Sequence, residues 1–312
     1  LAPSASSKET SSAAENRKAN QKVLAAHGLL QVLLPLALQD RVPVLAVRVQ
    51  ALRCLGNLVM EHSQNQVALG CAEVELQRLG TSSNGSGPGV GKPALNVALR
   101  LALYATAPEE RAAAEYVLKC YCQSNEDGQL MLASTITPPP QSTDSREREE
   151  DDMESFGTAL VKALVAETEG LPVDAGVRAA GVLAHVIRGN IPCKEKVLRI
   201  PLAISVSAED AKRKLLLPRC MRYLAALSNS GENDYSQETL ETTILRLLVV
   251  WLQDCPAAVA GLLSDVSHVS TLVALATRGT LKKVYGGNPV TSEVDGAGVH
   301  VAGLASAVLG LC

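Results

Sequence analysis

Apolar residues recur along most of this chain at intervals of three and four. Val44, Val47, Ala51, Leu55 and Leu58 form one helical stripe, and Leu45, Leu52 and Val59 form a second beside it. A helix apolar on two sides must be covered on both. The same spacing returns in Ala113, Tyr116, Val117, Cys120 and Tyr121, behind a Pro108-Glu109-Glu110 start that suits the positive end of a helix dipole. It returns again in Val173, Val177, Ala180, Ala184 and Ile187, and in Leu240, Ile244, Leu247, Leu248 and Trp251. Shorter helices are predicted from Ala94 to about Ala105, Gln129 to Ala133, Met153 to Ala166, Pro192 to about Ile200, Leu215 to Leu227, Pro256 to Leu263, Val269 to Ala276 and Val299 to Leu311. Near the start, helical signal runs from Glu15 through Leu34 with a break at Gly28. Residues 1–15 read as a flexible lead-in, and residues 80–93, 137–152 and 277–298 as loop insertions. Cys71 to Leu79 shows no clear pattern. Asp127-Gly128 suits a hairpin turn, but its flanks do not alternate.

Four segments share one local order: a long helix ends, polar residues follow, and a short apolar helix begins. They are Gln64–Leu69, Glu126–Leu132, Cys193–Leu198 and Cys255–Ala260, and Asn20–Leu24 reads as a fifth. Their starts lie about 62, 67 and 62 residues apart, which leaves roughly 40 to 50 residues per unit without the insertions. The expectation is an all-α, armadillo/HEAT-like right-handed α-solenoid over residues 16–312, in which stacked repeats bury a core that no single repeat could bury. Ala179, Ala180, Gly181, Ala225 and Ala226 are expected to let helices approach closely. The apolar run to Cys312 and the first residue, which is not Met, suggest a fragment of a longer array.

Composition supports this picture. The 312 residues are 47% hydrophobic but only 3% aromatic, which argues against a β-sandwich or barrel and for aliphatic helix packing. A net charge of −3 argues against a nucleic-acid binder. The eight Cys are widely spaced without Cys-x-x-Cys, and read as buried reduced thiols of a cytosolic protein. No signal peptide is apparent, and the uncharged stretch Ala297–Cys312 is shorter than the roughly 20 residues a bilayer span needs, so a soluble protein is expected.

No catalytic, cofactor or metal site emerges. His27, His62, His185, His268 and His300 form no close ligand pair, and no Gly-x-Ser-x-Gly elbow is present. The Gly-rich stretch before Gly91-Lys92 fails as a phosphate loop, because Ser86 stands where the first Gly is required and Pro93 replaces the hydroxyl residue. His185 and Trp251 read as structural. The remaining candidates are binding groups: the acidic run Arg146–Asp152, and Lys194, Lys196, Lys212, Arg213 and Lys214 at helix ends. Solvated surface is their simpler reading.

The segment from Ala114 to Ser134 (AEYVLKCYCQSNEDGQLMLAS) resembles the armadillo head of the general vesicular transport factor family, the Uso-type ER-to-Golgi vesicle tethers, with plant golgin-candidate members nearest. Cys193–Ile200 (CKEKVLRI), Trp251–Val259 (WLQDCPAAV) and Val301–Cys312 (VAGLASAVLGLC) resemble it in the same order. The resemblance implies the later part of a non-catalytic head that acts in vesicle docking. It implies peripheral association with the cytosolic face of Golgi and vesicle membranes. It also implies contacts with a Rab GTPase, SNAREs and other tethers, and homodimerisation of the full protein. The coiled coil of that family is absent here. The Gly-rich loop and the Gly286-Gly287 insertion depart from the pattern. Another armadillo/HEAT adaptor, a transport receptor or regulatory subunit, is the alternative.

Overall fold

The structure is a computed structural model that describes residues 5–39, 42–75, 91–136, 155–165, 173–200, 215–229, 235–285 and 296–312. Its helices are α1 (Ala5–Ala26), α2 (Leu29–Leu38), α3 (Leu45–Val59), α4 (Ser63–Gly70), α5 (Ala94–Tyr104), α6 (Pro108–Cys122), α7 (Glu126–Ser134), α8 (Phe156–Val165), α9 (Val173–Ile187), α10 (Ile191–Leu198), α11 (Leu216–Asn229), α12 (Tyr235–Leu252), α13 (Pro256–Leu263), α14 (Val266–Tyr285) and α15 (Gly296–Gly310). The all-α expectation holds, with one addition. A two-stranded antiparallel ribbon pairs β1 (Glu73–Glu75) with β2 (Gly91–Pro93), Val74 opposite Lys92. Helix α1 begins well before Glu15, and α14 runs past Ala276 to Tyr285. Of the expected insertions, residues 80–90, 137–152 and 286–295 lie outside the described residues.

The helices group in threes: a first helix, a second, and a third that turns directly into the next first helix. Within the triplets α2 packs on α3, α5 on α6, α8 on α9 and α14 on α15, and third helices pack on third helices in the pairs α3–α6, α9–α12 and α12–α15. The chain divides into two compact units, Leu1–Gly128 and Gln129–Cys312, with α7 starting in one and ending in the other. Each unit buries its own aliphatic layers. Leu52, Leu55, Leu99, Leu103 and Leu118 fill the first, and Leu160, Leu183, Leu224, Leu247 and Trp251 the second. A fully buried side chain of this size contributes about 1.5–3 kcal/mol. At the α3–α6 contact a Cβ on Gly56 would come within 2.7 Å of the Tyr116 ring, so only glycine permits that approach. Ala179 and Ala180 are buried as expected, whereas Ala226 is exposed.

The backbone turn from third to first helix repeats from triplet to triplet. Glu61, Ser124 and Asp254 adopt φ of 54°, and Gly189 adopts 70°, each two residues past the end of its long helix. The residue after each, His62, Asn125, Asn190 or Cys255, stands just before the next helix. There His62 Nδ1 accepts from Asn65 N at 3.3 Å, Asn125 Oδ1 from Gly128 N at 3.1 Å, and Asn190 Oδ1 from Cys193 N at 2.9 Å. These side chains satisfy N–H groups that a helix start leaves without partners.

Four residues beyond the cap comes a buried donor. Gln66 Nε2 donates to the carbonyls of Cys120 (3.2 Å) and Gln123 (2.8 Å). Gln129 Nε2 donates to those of His185 (3.1 Å) and Arg188 (2.9 Å). Lys194 Nζ donates to Gln253 O at 2.5 Å, and Gln21 Nε2 on α1 to the carbonyls of Asn57 (2.6 Å) and Met60 (2.9 Å). Each donor thus clamps a first helix to the C-terminal carbonyls of the third helix in its own triplet. In α13 the matching residue is Val259, which carries no donor.

The left-handed turn residue sets a testable asymmetry. No atom lies within 4 Å of a Cβ added at Gly189, so Gly189→Ser is opposed by the backbone conformation alone and should cost about 1 kcal/mol. Asp254→Gly relieves that strain and should leave stability unchanged or raise it by up to about 1 kcal/mol. Denaturant midpoints of the two variants check this. A neutral Gly189→Ser would contradict the turn geometry.

Candidate functional site

In the first unit several polar side chains meet where third helices end and first helices begin. Arg17 on α1 forms an ion pair with Glu61, whose other oxygen accepts from Gln123 Nε2 at 2.6 Å. Tyr116 Oη donates to Asn57 Oδ1 at 2.7 Å. Burial, and then the neighbouring Cys120, push the Tyr116 hydroxyl up to about 12, so it stays a donor at neutral pH. Deeper in, Arg48 holds the buried Glu110 through two bonds, Nε–Oε1 at 2.7 Å and Nη2–Oε2 at 3.2 Å, while its Nη1 donates to Val42 O. That pair joins α3 to α6, and a bidentate geometry is the strong form of such a contact.

Two concavities flank α1. One, of about 570 Å³, is lined by Asn16, Arg17, Asn20, Gln21, Leu24, Leu29, Cys54, Asn57 and Leu58. The other, of about 440 Å³, carries Lys18, Lys22, Glu61, His62 and Ser63.

In the second unit the buried side chains do structural work. Trp251 is fully buried, as expected, and its Nε1 donates to Lys194 O at 3.2 Å. Lys194 corrects the sequence expectation. Rather than standing on exposed surface, it is 3% exposed, and burial lowers its pKa below the usual lysine value. It serves where glutamines serve in the other clamps. Lys196 is exposed as expected and donates to Ser134 Oγ. Lys212, Arg213, Lys214 and the run Arg146–Asp152 lie outside the described residues. His185 sits at the end of α9, its carbonyl in the Gln129 clamp, in keeping with a structural role. Among the described residues no cluster of three or more His, Cys, Asp or Glu could hold a metal ion, and no single helix is long and apolar enough to cross a membrane.

A profile of the head region of Uso1/p115-like vesicle tethering proteins matches residues 91–312. The chain belongs to this family. Golgin candidate 6 of Arabidopsis thaliana is 34% identical over 95% of the chain. General vesicular transport factor p115 of Rattus norvegicus is 30% identical over 52% of it. The chain spans 30% of the length of the first relative and 15% of the second. A solved structure of Uso1, Uso1-2, superposes over 94% of this chain with a TM-score of 0.60 at 18% identity, covering 40% of that structure. Its likeness carries the fold, an armadillo-like helical solenoid, as the repeat spacing predicted.

The clamps were not foreseen as such. Their signal was present as a polar residue inside an otherwise apolar short helix, four positions after the turn. The thiols also differ from expectation, because Cys54, Cys71 and Cys312 are exposed. Burial pushes the thiols of Cys193 and Cys220 up to about 12 and raises that of Cys120. A thiol reagent at pH 8 should therefore modify Cys54 and Cys71 rapidly, and Cys312, whose thiol burial raises, more slowly than these two. The buried Cys120, Cys122, Cys193, Cys220 and Cys255 should react only as the protein unfolds. Peptide mapping of a labelling time course checks the order, and rapid reaction of Cys193 in the native protein would contradict it.

Proposed function

We propose that this chain is the head portion of a vesicle tether acting in ER-to-Golgi transport, docking and membrane fusion. The observation that carries the reading is the match to the tether head over residues 91–312, joined to a golgin relative that aligns along 95% of the chain. Residues 16–312 act as one armadillo-like repeat domain bearing loop insertions. The work of this domain is binding. Stacked third helices with clamped ends form a stiff support, and stiffness lowers the entropy lost when a partner docks. The partners are a Rab GTPase, SNAREs and other Golgi tethers. The full protein is a homodimer held peripherally on the cytosolic face of Golgi and vesicle membranes. It needs no cofactor, performs no catalysis and binds no nucleic acid.

Relocating the full-length protein to mitochondria in cells tests this reading. Transport vesicles should gather at the mitochondria, and deletion of the segment described here should reduce the gathering at least severalfold. Gathering unchanged by the deletion, or proximity labelling dominated by nuclear-pore or phosphatase proteins, would overturn it.

A further inference from the structure

The larger concavity beside α1 carries chemistry that the clamps do not use. Asn16 and Asn20 stand one turn apart on α1, as do Arg17 and Gln21, and Asn57 faces them from α3. Leu24, Leu29 and Leu58 supply apolar lining. Two polar atoms here are buried without a partner: Gln21 Oε1, an acceptor, and Arg17 Nε, a donor. Gln21 as a residue is 3% exposed. The comparison with the third triplet explains its orphan oxygen. There Gln129 Oε1 accepts from the cap residue, Asn190 Nδ2, at 3.1 Å. In the first triplet the cap residue is His62, whose Nδ1 is already taken by Asn65 N. The first clamp therefore holds its helix with one of its polar atoms unmatched, at a cost in free energy.

A donor and an acceptor one helical turn apart are separated by about 6 Å along the axis. An extended chain shows N–H and C=O groups on one side at every second residue, about 6.6 Å apart. The two intervals agree closely enough for an extended main chain to run along α1 and meet the exposed amides of Asn16 and Asn20, while Gln21 Oε1 and Arg17 Nε lie buried and are met only if those side chains shift. The floor is near neutral, since the Arg17 charge is paired with Glu61. That favours uncharged main chain over an acidic ligand, while the leucines accept an apolar side chain.

We propose that the groove between α1 and α3 binds an extended peptide segment of a partner protein through main-chain hydrogen bonds, with one apolar side chain set against Leu24, Leu29 and Leu58. This site does not depend on the tethering role. The neighbouring cleft with Lys18 and Lys22 is a separate feature and contributes nothing to it.

The test uses a displayed library of random seven-residue peptides, selected on the full chain and counter-selected on Cys54→Trp. Cys54 is exposed and lines the groove, so this substitution fills the site without disturbing the core. An enriched peptide should slow modification of Cys54 in the wild-type chain. Its affinity should fall at least tenfold with Asn20→Ala, and at least tenfold when alternate main-chain nitrogens of the peptide are methylated. No enrichment sensitive to Cys54→Trp, or affinity unchanged by N-methylation, overturns the proposal. So does a Cys54 already protected in the full-length protein, because another segment of that protein then closes the groove.

Discussion

A helix that ends inside a protein leaves its last carbonyls without donors, and the rest of this structure is arranged around that deficit. Gln21, Gln66, Gln129 and Lys194 each bring a buried donor to the C-terminal carbonyls of a long helix from the first helix of the same triplet. One contact thus settles two problems. It matches carbonyls that would otherwise be costly to bury, and it fixes the angle between helices whose aliphatic faces would permit sliding. The left-handed turn residue and the cap that follows it set where the donor falls, four residues on. Turn, cap and clamp therefore behave as one device, repeated with different side chains.

The substitutions within that device are informative. An amide can donate to two carbonyls and still offer an acceptor, as Gln129 does toward Asn190. An ammonium has donors only. In the Lys194 clamp the neighbour Trp251 donates to the Lys194 backbone carbonyl, and the pair closes without an acceptor on the side chain. Burial lowers the pKa of Lys194, so between that depressed value and the usual lysine value of 10.5 the native state binds fewer protons than the unfolded one. This group alone makes stability rise with pH through that window. The thiols of Cys193 and Cys220, raised to about 12, act in the opposite sense above pH 9.

Much of the fold was legible because helix period and proline position are strong signals. Pro256–Leu263 was expected and found with the same bounds, since a first-turn proline marks its start. The repeat order was visible for the same reason. The ribbon of Glu73–Glu75 with Gly91–Pro93 was not, because three residues are too few to show alternation. The left-handed turn was hidden because Glu61, Ser124 and Asp254 occupy a conformation usually marked by glycine, and only Gly189 carries the usual mark. Lys194 was misplaced on the surface because a charged residue at a helix end is nearly always solvated. Only its equivalence with Gln66 and Gln129, evident once the turns are superposed, shows why it is buried. Partner-contacting residues leave no periodic trace at all, so the site was legible as a class of surface and not as a set of side chains.

Hydrogen–deuterium exchange on Gln129→Met tests the central claim most directly. Methionine keeps the volume and removes the amide, and with it the bonds to the carbonyls of His185 and Arg188 and the acceptor of Asn190 Nδ2. If the clamp holds the repeat together, exchange should speed up by about tenfold in peptides covering α7 and the 185–193 turn, while those covering α3 and α4 stay as in the wild type. Exchange unchanged at the 185–193 turn, or raised evenly along the whole chain, would contradict the account.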